Sequence, residues 1–185
     1  MPRVLIPLAP GCEELEAVTL IDLLRRAELE VVTAALEPGP VTCSRGTVLV
    51  ADVDLDEVAE DDFDLVVLPG GLPGATHLDR DTRIHDLLAR QAAADRWSAA
   101  ICAAPLVLAS TGLLDGRSAT SFPGAIDAAR YPEITLLEQP VVIDGKVVTS
   151  RGPGTAMDFA LQLIELLLDA EQRAAVEAKL MRPRA

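Results

Sequence analysis

Short runs of apolar residues alternate along the chain with longer stretches in which apolar positions recur every three or four residues. The first pattern predicts strands buried on both faces and the second predicts helices that bury one stripe. Their alternation predicts βαβ units around a mostly parallel sheet. Core strands are read at 4–8, 31–35, 65–68, 98–101 and 147–150, and helices at 14–26, 82–94, 105–111, 154–168 and 171–180. Pro105 at a helix start and Gly112 after its end fit the usual asymmetry of helix termini. Asp144-Gly145 between apolar runs reads as a hairpin turn, and a further short β element is expected within 41–50.

The chain has 185 residues, half of them hydrophobic, which is enough for one full core, so one domain over 1–185 is expected. A net charge of −13 repels phosphate backbones and anionic lipid, so nucleic-acid binding through a basic groove is not expected. Cys12, Cys43 and Cys102 are too few for a disulfide framework and match no zinc spacing, so reduced thiols with no metal and no cofactor are expected. The N-terminus lacks the long apolar run of a secretory signal, and nothing approaches the roughly 18 apolar residues of a membrane span. A soluble cytoplasmic protein is the expectation.

In an open parallel sheet, ligands gather beyond the carboxyl ends of the strands. Four strand-to-helix loops converge there: Pro10-Gly11-Cys12-Glu13, Pro69-Gly70-Gly71-Leu72, Cys102-Ala103-Ala104-Pro105 and Arg151-Gly152-Pro153-Gly154. Cys102 sits where a strand turns into a helix among small residues, the geometry of a nucleophile elbow, and the helix N-terminus is expected to lower its pKa. A small buried hydrophobe is the plain alternative for a free cysteine. Glu16 shares the helical arc of Leu20, Leu23 and Leu24, so its carboxyl points toward the core near the same sheet edge. Two adjacent acids disfavour double ionisation, so Cys102 and Glu16 are expected to share one proton, which Glu16 can shuttle. Backbone N–H groups of Gly71 and Ala103 are the candidate donors to a developing oxyanion, with Gly70 and Pro153 in the same loops.

Taken together, Gly-Cys-Glu-Glu-Leu-Glu at 11–16, Cys-Ser-Arg at 43–45, Val-Val-Leu-Pro-Gly-Gly at 66–71, Ala-Ala-Ile-Cys-Ala at 99–103 and Thr-Ser-Arg-Gly-Pro-Gly-Thr at 149–155 resemble the ThiJ/PfpI superfamily. The resemblance is to its branch of the Parkinson-disease protein deglycase and bacterial YajL. It implies a flavodoxin-like three-layer sandwich and a homodimer. It also implies a reactive cysteine and partner glutamate at Cys102 and Glu16, and backbone donors at Gly71 and Ala103. Arg45, and Arg26 from a neighbouring subunit, correspond to basic residues at the pocket mouth. The activities it implies are glutathione-independent conversion of small α-oxoaldehydes to hydroxy acids, deglycation of early glycation adducts, and stress sensing or chaperone action through cysteine oxidation.

The chain departs from that branch most clearly at Phe122, which follows Thr120-Ser121 where relatives carry a histidine. Without the imidazole, Glu16 carries acid and base work alone or with water. The apolar Phe122 also leaves room for hydrolysis of a small ester, amide or isonitrile, ranked below the other two readings. Ala103 stands where protease and amidotransferase relatives pair the cysteine with histidine, so peptidase chemistry is not expected. His77 and His85 read as surface residues, Cys12 as a turn residue or a resolving thiol, Cys43 as buried near a dimer surface, and Trp97 as packing at a strand start.

Overall fold

A computed structural model describes residues 1–182. Its strands are β1 (Arg3–Leu8), β2 (Glu30–Ala35), β3 (Val41–Thr42), β4 (Val48–Leu49), β5 (Val53–Asp54), β6 (Leu65–Leu68), β7 (Trp97–Ile101), β8 (Ser118–Ala119), β9 (Thr135–Leu136), β10 (Val141–Asp144) and β11 (Val147–Ser150). Its helices are α1 (Glu14–Arg26), α2 (Leu55–Val58), α3 (Gly74–Arg80), α4 (Thr82–Ala93), α5 (Pro105–Ser110), α6 (Ala156–Leu167) and α7 (Ala170–Lys179), with a 3₁₀ turn at Pro153–Thr155.

Seven strands form one sheet in the order β10-β11-β7-β6-β1-β2-β5. All its pairings are parallel except the β10–β11 hairpin, which turns at the expected Asp144-Gly145. The five core strands therefore follow the doubly wound order in which the second strand lies outside the first and the rest step away on the other side. Helices cover both faces, giving the expected flavodoxin-like three-layer sandwich. Alternation along β1 divides its side chains between the two layers. Val4, Ile6 and Leu8 join Leu20, Leu24, Phe159 and Ile164 of α1 and α6, whereas Leu5 joins Leu78, Ile84 and Leu88 of α3 and α4.

This order matters for function because the connections after β1 and β6 leave toward opposite layers, opening a crevice at the carboxyl edge between them. Cys102 directly follows β7, next to β6, so the chain reverses beside that crevice. The predicted segment 41–50 is a small antiparallel hairpin of β3 and β4, outside the main sheet. No helix of the described residues is long and apolar enough to cross a membrane.

Candidate active site

Cys102 adopts φ 64°, a left-handed conformation that is unusual for a residue with a side chain. The surroundings hold it there from both ends. Its N–H donates to the Ser150 carbonyl at 3.0 Å, and its own carbonyl accepts from Phe122 N–H at 2.8 Å. Neighbouring strand β11 and the segment after β8 thus fix the elbow, and Ala103 and Ala104 leave room for the turn.

Glu16 is fully buried, as its place in the apolar arc of α1 predicts. The Glu13 carboxylate caps the helix by accepting from Glu16 N–H at 2.8 Å, and Glu13 N–H in turn donates to the Gly70 carbonyl at 2.9 Å. Gly70 N–H donates to Glu16 Oε2 at 2.8 Å. A β-carbon at residue 70 would lie 2.6 Å from Cys102 Cβ and 2.8 Å from Glu16 Oε2, so only glycine lets acid and thiol meet here. Gly71, at φ 87°, turns its backbone under Glu13, where a β-carbon would lie 2.5 Å from Glu13 N.

Glu16 Oε1 is buried without a hydrogen-bond partner of ordinary geometry. Glu16 and Cys102 form a pair in which each acid moves the other. Burial raises the Glu16 carboxyl to about 7, while its contacts with Cys102 and Gly70 N–H pull the other way. Burial first, and then the Glu16 carboxylate, push the Cys102 thiol up to about 12 against the lowering effect of Gly71 and Ala103 N–H. The lowered thiol pKa expected from the helix N-terminus is therefore corrected. Helix α5 has only six residues and supplies a small dipole, whereas the elbow buries the sulfur until Cys102 is 8% exposed. The raised thiol holds its proton on sulfur while burial keeps the Glu16 carboxyl partly protonated near neutral pH, so the two acids disfavour ionising together.

Outside the sulfur lies a cavity of about 280 Å³ lined by Glu13, Ser44, Arg45, Gly71, Leu72, Cys102, Ala103, Phe122 and Pro153. It brings together Cys102, Gly71, Ala103, Phe122, Arg45 and Pro153, all anticipated from sequence, and Gly70 backs it. Glu16 lies beneath, reached through the thiol. Arg26 does not approach the cavity within its own chain. It sits at the far end of α1, bonded to Asp22 at 2.7 Å. Two larger cavities, one around Arg96, Arg117 and Lys146 and one beside Ile21 and Leu49, lie away from the cysteine.

Sequence reading missed Glu13, Ser44 and Leu72 as lining residues. Ser44 and Arg45 arrive through Glu14, whose carboxylate accepts from Ser44 Oγ at 3.0 Å, Arg45 N–H at 2.9 Å and Thr47 N–H at 3.3 Å. Burial pushes Glu14 up, but these donors and its own N–H outweigh it and leave the group at about 2. Glu14 carries no local signal of this role, since an acid in the first turn of a helix is accounted for by the helix dipole alone. Among the histidines, half-buried His77 binds the Pro10 carbonyl at 2.8 Å and His85 the Asp79 carbonyl at 2.7 Å, and neither lines the cavity. No cluster of three or more His, Cys, Asp or Glu able to hold a metal ion occurs among the described residues.

A doubly wound sandwich with an elbow cysteine, a buried carboxyl beside it and a small cavity above defines a class of α/β proteins with sulfur-centred sites. Residues 2–166 match the DJ-1/PfpI family, and the chain belongs to that family. It is 37% identical over 169 residues to the glutathione-independent glyoxalase DJR-1.2 of Caenorhabditis elegans, covering 91% of this chain and 90% of that relative. It is 43% identical over 173 residues to the protein DJ-1 homolog B of Arabidopsis thaliana, covering 92% of this chain, which spans only 39% of that longer relative. The solved structure of Toxoplasma gondii DJ-1, oxidized, superposes with a TM-score of 0.92 at 38% identity, over 100% of both chains.

Proposed function

We propose that this protein converts small α-oxoaldehydes to 2-hydroxy acids without glutathione, using Cys102 as nucleophile and Glu16 as proton shuttle. The carrying observation is the Cys102–Glu16 pair, joined through Gly70 and opening on a cavity that admits only a small molecule. The likeness to a glyoxalase named as glutathione-independent supports the same substrate class. In this reading the thiol proton passes to Glu16 as sulfur adds to the aldehyde carbon, forming a hemithioacetal oxyanion that faces Gly71 and Ala103 N–H. Glu16 returns that proton to the oxyanion. Its carboxylate then takes the proton from the former aldehyde carbon and delivers it to the adjacent carbonyl carbon while the hydroxyl proton passes from one oxygen to the other, producing a thioester. Water hydrolyses the thioester, releasing the hydroxy acid and the thiol. The sequence is redox-neutral and consumes one water. Deglycation of early adducts uses the same first addition.

Purified protein incubated with methylglyoxal in the absence of glutathione should yield lactate, and Cys102→Ala and Glu16→Ala should not. Absence of lactate while an active relative forms it in the same assay contradicts the reading.

A second reading, stress sensing by oxidation of Cys102, draws on the same Gly71 and Ala103 N–H groups, which favour an anion at the sulfur position. The relative solved in oxidized form supports it. Mild peroxide should then add two oxygens at Cys102 alone, with no aldehyde turnover.

The functional unit in this proposal is a homodimer. Leu15 and Val18 on the outer face of α1, with Val48 and Val50 of the nearby hairpin, leave an apolar surface exposed. A second copy covering it would also supply Arg26 to the pocket mouth.

A further inference from the structure

Cys12 and Cys43 were read from sequence as separate thiols, yet their sulfurs lie 3.6 Å apart. Neither thiol lines the cavity beside Cys102. Two backbone hydrogen bonds bracket the pair. Gly11 N–H donates to the Thr42 carbonyl at 2.8 Å, and Ser44 N–H donates to the Cys12 carbonyl at 2.8 Å. The two segments therefore already run side by side, and the sulfurs need close by only about 1.5 Å to reach the ~2.05 Å of a disulfide. Each cysteine is followed directly by residues of the cavity wall, Glu13 after Cys12, and Ser44 and Arg45 after Cys43.

We propose that Cys12 and Cys43 form a redox-active dithiol that closes to an intramolecular disulfide under hydrogen peroxide, pinning the β3–β4 hairpin to the β1–α1 loop. Cys43, 5% exposed against none for Cys12, reacts first. Its sulfur gives up a proton and attacks one peroxide oxygen. The O–O bond breaks, leaving a sulfenic acid and a hydroxide that takes up the proton as water. The Cys12 sulfur then attacks the sulfenyl sulfur and the S–O bond breaks. The departing hydroxide leaves as a second water with the Cys12 proton. Each sulfur loses one electron and the peroxide gains two. Burial raises both thiols, which makes the first step slow. The second step is fast because the partner sulfur is already in contact, so the sulfenic acid is captured before further oxidation. Oxidation here fixes Glu13, Ser44 and Arg45 in place and leaves the Cys102 sulfur untouched.

The test uses full-length wild-type protein and Cys102→Ser, treated with hydrogen peroxide and digested with trypsin without reduction. The expected product links the peptide of residues 4–25 to that of residues 27–45, two hydrogens lighter than the separate pair. Titration of unfolded Cys102→Ser should fall from two free thiols to none, and dithiothreitol should restore both. Cys12→Ser and Cys43→Ser should each abolish the linked peptide. The proposal is overturned if both thiols stay free in Cys102→Ser at peroxide doses and times tenfold beyond those that fully oxidise Cys102 in wild type. It is equally overturned if Cys12 or Cys43 gains oxygen without forming the link.

Discussion

Glu16 Oε2 and Cys102 Cβ press on the same point above Gly70, where a β-carbon would stand 2.8 Å from one and 2.6 Å from the other. Gly70→Ala therefore has to displace the Cys102 side chain, the Glu16 carboxyl and the Ile101 carbonyl, which a β-carbon would approach to 2.6 Å. The overpacked variant should lose about 1–3 kcal/mol of stability in denaturant melts. Its turnover of methylglyoxal should fall on the order of 100-fold, because a displacement near 1 Å spoils proton transfer.

The raised Glu16 carboxyl makes stability depend on pH with a definite sign. Its folded value of about 7 exceeds the ordinary 4.5, so the folded state holds this proton more tightly. The favourable contribution is complete below about 4.5 and is lost as pH rises through 7. Between those limits wild type should lose on the order of 3 kcal/mol relative to Glu16→Gln, which has no proton to release. Paired urea melts of the two proteins at pH 5 and pH 8.5 measure the difference.

Glu14 acts on the pocket mouth and not on the sulfur. Glu14→Ala removes the acceptor that holds Ser44 Oγ and the N–H groups of Arg45 and Thr47. Steady-state kinetics should show KM raised several-fold with kcat nearly unchanged, the pattern of lost substrate positioning.

Phe122 is half exposed and shares the cavity with Leu72 and Pro153. It also lines an adjoining apolar depression with Pro123, Gly152 and Gly154. Substrates with an apolar substituent should therefore be preferred over methylglyoxal. Phe122→Ala should lower kcat/KM for phenylglyoxal about tenfold while changing that for methylglyoxal much less, a difference of about 1–2 kcal/mol in transition-state binding.

Charge placed on the exposed face of α1 should keep copies apart. Val18 is 45% exposed in the single chain, so Val18→Glu should leave the fold intact, which circular dichroism checks. Light scattering after size exclusion should report a monomer for the variant and a dimer for wild type.

Much of this arrangement is legible in the chain because it follows from local pattern. The apolar runs locate the five core strands, and the small residues around Cys102 mark the elbow. The angular position of Glu16 among leucines places its carboxyl inward. Other features depend on contacts distant in sequence. Strand β5 has two residues and pairs only at the sheet edge, too short to leave a periodic signal. Helix α3, absent from the predicted elements, begins after Pro73 with Gly74 and carries Thr76 and His77, so its apolar stripe is two buried residues, Ala75 and Leu78. The meeting of Cys12 and Cys43, 31 positions apart, depends on where the hairpin folds back. The direction of the Cys102 shift was misread because burial depends on the whole fold, whereas the helix start is visible locally.

The rate of Cys102 alkylation by iodoacetamide, followed by mass spectrometry from pH 5 to 10, tests the proton-sharing pair most directly. If Glu16 and Cys102 share the one proton that remains after the first loss, part of the pair is thiolate, so the rate should rise with a midpoint near 7 and then hold level to pH 10, because the second loss lies near 12. Glu16→Gln should abolish the step near 7. A wild-type rate that climbs steadily through pH 8 to 9 like an ordinary thiol, and is unchanged in Glu16→Gln, contradicts the account.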